Sequence, residues 1–149
     1  MAQNPIPYRI VQVHIDAFNM KNEPVEEGAK IGIKSSYTFQ TQFEPELIRC
    51  ISNFSFVKGD EMMLNLQLTC VFVVEHEAYE AMYNENRSKL TVPAYFCRYM
   101  ATIAVGAARG AMAAKVQGSE LENLVLPPIN LVETIQNDTV CEVQERPAN

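Results

Sequence analysis

Thr91-Val92-Pro93-Ala94-Tyr95-Phe96-Cys97-Arg98 opens a run that closes on Val125-Leu126-Pro127-Pro128-Ile129-Asn130-Leu131, and the reading of this run decides the fold. Thr91 is a capping residue and Pro93 suits a first helical turn, so a helix is expected to start here. Tyr95, Phe96, Tyr99, Met100 and Ile103 recur at three- and four-residue steps and form one apolar stripe. From Ala104 onward the side chains shrink: Ala104, Gly106, Ala107, Ala108, Gly110, Ala111, Ala113 and Ala114 leave almost no bulk. An interior glycine costs roughly 1 kcal/mol against alanine in a helix. Gly106 and Gly110 share one face, so close approach of another element is the expected offset, either the chain's own sheet or a helix of a second subunit. The helix is expected to end near Lys115 or Gly118.

Upstream of this run the period is two. Arg9, Val11, Val13, Ile15 and Ala17 share one side of a first strand over residues 6–17, and a polar, punctuated loop follows over 19–30. Ile31, Ile33, Ser35, Tyr37, Phe39 and Thr41 alternate with Gly32, Lys34, Ser36, Thr38, Gln40 and Gln42, a strand with one buried and one wet face. Phe43-Glu44-Pro45-Glu46 turns the chain into a third strand over 47–57, with Ile48, Cys50, Phe54 and Phe56 on one side. Lys58-Gly59-Asp60 reads as a hairpin connection. The fourth strand sets Met62, Leu64, Leu66, Leu68, Cys70, Phe72 and Val74 against Met63, Asn65, Gln67 and Thr69. Val71 and Val73 make its far end apolar on both faces, so cover on both sides is expected there. Residues 75–89 form a short helix or an ordered loop, and Glu142 to Asn149 a loose tail.

A chain of 149 residues is one domain by size, and 48% hydrophobic residues suffice for a core. The net charge of −6 argues against a nucleic-acid partner, which calls for a basic face. Met1-Ala2-Gln3-Asn4-Pro5-Ile6 lacks the basic and apolar parts of a signal peptide, and the most apolar run is broken by Arg109. A cytoplasmic protein without membrane insertion is expected. Cys50, Cys70, Cys97 and Cys141 form no C-x-x-C pair and read as buried small apolar residues. His14 and His76, both placed in strand-like runs, read as packed or surface residues, and no metal site is expected.

Four antiparallel strands, a proline-started helix with an early arginine and the Pro128-Ile129-Asn130-Leu131 stop together resemble the SecB export chaperone family. That family carries a Phe-Pro-Tyr-Ala-Arg-type helix start and a Leu-Ala-Pro-Val-Asn-Phe-type closing segment. The turn at Gly59-Asp60-Glu61 resembles the family's Gly-acid-acid hairpin. The likeness spans residues 8–135. It implies an α+β fold, a four-stranded antiparallel sheet followed by a long C-terminal helix, assembled as a homotetramer, a dimer of dimers. Ala104, Gly106, Ala107, Gly110 and Ala111 are then the expected oligomer interface. The resemblance implies an ATP-independent holdase for unfolded or precursor polypeptides in protein export, without cofactor, and the translocase motor SecA as partner of export-dedicated members. Three features depart from the family: the helix is longer before its stop, through Met112-Ala113-Ala114-Lys115-Val116, Gln67 stands where the docking strand has an acid, and the acidic tail is reduced to Glu142 and Glu145.

Apolar groove walls take client side chains out of water at about 25 cal/mol per Å². The groove is expected where the second strand meets the closing segment, at Ile33, Tyr37, Phe39, Ile129 and Leu131, although ordinary core burial competes for each. A second reading is a SecB-like protein dedicated to one partner, as in toxin–antitoxin pairs, or an oligomeric scaffold. Catalysis is not expected. A hot-dog thioesterase places its helix after an early strand, and two histidines with scattered acids such as Asp16, Glu75 and Glu77 assemble no nucleophile–base pair.

Overall fold

The computed structural model describes residues 5–143. Strands β1 (Tyr8–Met20), β2 (Gly32–Phe43), β3 (Glu46–Lys58) and β4 (Glu61–Val74) form one antiparallel sheet in the order β1-β4-β3-β2. Both predicted turns are tight. Glu44-Pro45 joins β2 to β3, and Gly59-Asp60 joins β3 to β4 with Gly59 at φ 63°, which a II′-type hairpin needs at its first central position.

Pairs directly opposite in an antiparallel ladder project to the same face. Phe39 opposite Cys50, Phe54 opposite Leu66, and Cys50 opposite Cys70 therefore define one core-side face. The other face carries the cross-strand amides Asn53 and Asn65, joined at 3.1 Å. One face packs and the other meets water, as the alternation of β2 and β4 predicts. Past Thr69 the outer-face Val71 is buried and Val73 half-buried, so the expected double cover reaches Val71 alone.

β-Bulges alter the expected faces at three places, two in β1 and one in the β3–β4 ladder. Val11 and Asp16 are extra residues in the β1 ladder against β4. Each adds one step to a period of two, so the core-side set becomes Tyr8, Ile10, Val13, Ile15, Phe18 and Met20, not the unbroken odd-numbered series. Met63 is likewise skipped between the Phe56–Leu64 and Val57–Met62 pairs. Met63 is therefore 3% exposed while Met62 is 49% exposed, the reverse of the assignment from simple alternation.

After β4 come α1 (His76–Glu80) and β5 (Lys89–Val92), then the long helix α2 (Ala94–Lys115). His76 belongs to α1, not to a strand. Thr91 does not cap α2: it lies in β5, opposite Val140 of β6 (Thr139–Glu142). β5 alternates the buried Leu90 and Val92 with Lys89 and Thr91, and its partner lies fifty residues downstream, where local sequence does not reveal it. Pro93 precedes the first turn, and the Asp138 carboxylate accepts the Ala94 N–H at 2.7 Å, a cap supplied from far along the chain. Gly118 adopts φ 75° just past the helix, where left-handed backbone turns the chain back.

α2 packs on β3 and β4 and joins two core clusters. Phe96, Met100, Ala101 and Ala104 meet Cys50, Leu68, Cys70 and Phe72 at one end. Val105, Ala108 and Met112 meet Phe54, Phe56, Leu64 and Leu66 at the other. The chain then returns as an extended arm through Pro127 and Pro128 into α3 (Leu131–Thr134), capped by Asn130, whose Oδ1 accepts the Glu133 N–H at 3.3 Å. Glu142, expected in a loose tail, pairs with Lys89. The rest of that tail from residue 144, and residues 1–4, lie outside the described residues. No helix among the described residues is long and apolar enough to cross a membrane.

Candidate binding surfaces

α2 has an arm on one flank and an open trough on the other. Two arginines fix the arm. Arg109 donates from Nε to the Leu126 carbonyl at 2.5 Å and from Nη2 to the Pro127 carbonyl at 2.9 Å. Arg98 donates to the Ile135 carbonyl at 2.7 Å. Arg109 grips the start of the arm and Arg98 its end, so the arm runs antiparallel to the helix. Prolines and an unpaired extended backbone leave carbonyls without ladder partners, and the guanidinium forks satisfy them. Beyond the arm, β6 reaches the β2 side, where the Cys141 thiol lies 3.9 Å from the Phe39 carbonyl.

The predicted groove residues divide. Phe39 is 8% exposed and belongs to the core, so ordinary burial accounts for it. Tyr37 is half-buried, packs against both core clusters and meets the Phe54 ring edge-on at 5.9 Å. Ile129 and Leu131 are half-buried, the first on the Phe54–Leu66 cluster and the second on the Cys50–Phe96 cluster. Ile33 lies on the core side but is 38% exposed, because β2 is an edge strand beyond the reach of α2. Tyr37 thus bridges the two core clusters on which Leu131 and Ile129 pack, and Val125 and Val132 are exposed.

The predicted interface divides too. Ala104 is fully buried against its own sheet and cannot meet a second subunit, because its position on α2 faces the core. Gly106 and Gly110 are exposed, Ala107 and Ala111 half-buried. A Cβ built on either glycine meets nothing within 4 Å, so the chain's own sheet does not explain them. Tyr99, on the same side of the helix, is 58% exposed.

The trough along β1 is the feature that sequence reasoning missed. Tyr8, Ile10, Val13 and Ile15 point to the core side yet are 40%, 44%, 50% and 36% exposed. At one end the Tyr8 ring meets Phe96 at 5.5 Å and Phe72 at 5.7 Å. At the other, the Lys115 ammonium lies 5.7 Å from the centre of the Phe18 ring. Between these closures an apolar wall extends for about 30 Å, at the usual rise per strand residue. The cause is geometric. A helix is about 10 Å wide and adjacent strands are about 4.8 Å apart, so one helix covers two strands, not four. The signal available in sequence was the apolar content of β1 itself; the bulges hid which residues share a face.

The acids considered for catalysis do not gather. Burial alone would raise the Asp16 carboxyl, but hydrogen bonds from Thr69 and His14 hold it below its ordinary value. It sits at the bulge beside Leu68, whereas Glu75 and Glu77 follow the far end of β4, about 20 Å along the strand. Burial pushes the Cys50 thiol up to about 12 and the Cys70 thiol to about 11, so neither is a nucleophile near neutral pH.

No protein-family model matches the chain, and no curated protein matches it. Among solved structures, the chain is similar to the SecB-like chaperone Rv1957 of Mycobacterium tuberculosis, in complex with a ChAD peptide from the Rv1956 HigA1 antitoxin. The identity is 9% and the TM-score 0.43, with 95% of this chain and 93% of that chain covered.

Proposed function

We propose that this protein is a SecB-like, ATP-independent polypeptide-binding chaperone that works as an oligomer in the cytoplasm. The observation that supports this reading is the apolar surface that the described residues leave exposed at both edges of the sheet, on its core side. An exposed apolar face this long marks a surface that another chain covers.

The two edges suit different occupants. β1 offers a long open backbone edge together with exposed apolar side chains, a combination that aggregates unless it is permanently covered. A second copy of the chain suits it, extending over the open glycine face of α2. The β2 side is smaller and bordered by the arm, whose arginine–carbonyl bonds can yield and re-form. Ile33, Tyr37, Ile129 and Leu131 there suit a client segment, held by burial of its side chains without chemistry. Loss of an acid at Gln67 weighs against delivery to SecA and in favour of a dedicated partner as the second reading.

The test is aggregation of an unfolded client with and without stoichiometric protein. Suppression is expected, and it is expected to weaken several-fold in the Ile33→Asp, Ile129→Asp double variant with oligomeric mass unchanged. Absence of suppression by the parent protein, with one stoichiometric protein co-purifying, would favour the dedicated reading. Absence of both would overturn polypeptide binding.

A further inference from the structure

A cavity of about 580 Å³ opens at the β2–β3 turn, and His76, Glu46, Glu80, Tyr83 and Arg87 are among its lining residues. Three of these offer ligand atoms, one each, that lie within 4.8 Å of one another: Glu46, His76 and Glu80. We propose that they form a binding site for a divalent transition-metal ion of the zinc type.

Imidazole nitrogen and carboxylate oxygen are ligands that zinc takes. Their frame is built, not incidental. Glu46 is the first residue of β3, paired with Phe43 across the turn. His76 and Glu80 are four apart on α1 and share a face. α1 is pinned by Tyr79, which is fully buried and donates its hydroxyl to the Gln42 carbonyl at 2.7 Å. The helix turn is thereby held over the turn that carries Glu46.

His76 Nδ1 lies 2.5 Å from Glu46 Oε1, and its Nε2 lies 4.0 Å from Glu80 Oε1. Only one ring nitrogen binds a given ion; the set of one atom per residue lies within 4.8 Å, and ligands at about 2.0–2.2 Å from a tetrahedral ion sit about 3.4 Å apart, so side-chain rotation closes the set. The hydrogen bond to Glu46 keeps a proton on the ring. The metal takes the Nδ1 position that faces Glu46, the ring's single proton moves to Nε2 so that the imidazole stays neutral, and water from the cavity fills the remaining positions. Arg87 ion-pairs with Glu80 and is the built-in competitor for that carboxylate.

Zinc titration calorimetry on the tag-free full chain tests this, with cobalt absorption as a second signal. One equivalent per chain and nitrogen–oxygen cobalt bands are expected. His76→Ala is expected to weaken binding at least about tenfold, since loss of even an outer partner of a ligand has an effect of that size. Arg87→Gln is expected to tighten it several-fold. Both residues are exposed, so an unchanged circular dichroism spectrum separates loss of the site from loss of fold. No stoichiometric binding, or equal affinity in His76→Ala, overturns the proposal, as does weaker binding in Arg87→Gln.

Discussion

At the residue scale, the guanidinium of Arg109 matters more than its place in the helix pattern suggests. In sequence it is the charge that interrupts an alanine-rich run. In the fold it holds the Leu126 and Pro127 carbonyls and so determines where the arm lies. A hydrogen bond to a charged group contributes about 1.5–3 kcal/mol, and methionine keeps the stem while removing both donors. Arg109→Met is expected to lower stability by about 2 kcal/mol in urea denaturation. It is also expected to increase amide exchange through residues 124–131. Unchanged exchange there would mean that packing of Leu126 alone holds the arm.

At the element scale, α2 was legible in its length and its stripe, and less so in its start and its partners. Phe96 and Met100 face the core as the spacing requires, and Tyr99, from the same stripe, does not. A stripe of five residues is wider than the face that two strands can cover. The glycine face is open within the chain, so alanine there gains helix propensity of about 1 kcal/mol per site without a clash. Gly106→Ala and Gly110→Ala are therefore expected to stabilise the protomer and to weaken its self-association. Urea denaturation and light-scattering mass, measured over a range of concentrations, check both halves. A gain in stability with unchanged mass would place the subunit contact elsewhere. β1 shows the opposite case: its strand character was plain, but two bulges reassign its faces. A bulge is dictated by the partner strand and leaves little local trace.

At the scale of the whole molecule, the decisive relation is one helix over four strands. Among the described residues, the centre of the sheet is closed by α2, the β2 side in part by β6, and the β1 side only at its two ends. Val13 is half exposed at the middle of that gap, so a charge there leaves the protomer's fold intact while making the trough unfit for an apolar partner. Val13→Lys is expected to shift the solution mass towards the single chain, with thermal unfolding of the protomer little changed. Retained mass would remove β1 from the assembly.

The sequence by itself determined the four strands, both tight turns, the long helix and its end near Gly118, because each follows from periodicity or from a backbone conformation that few residues adopt. It also identified Tyr37, Ile129 and Leu131 as apolar residues near one seam. The tertiary structure alone decided that Phe39 and Ala104 are core, that Thr91 is a strand residue and that Asp138 caps α2. It alone brought Glu46 to His76 and left the inner face of β1 open. These are contacts between residues tens of positions apart, set by how many strands a single helix can cover, and no local pattern in the chain encodes them.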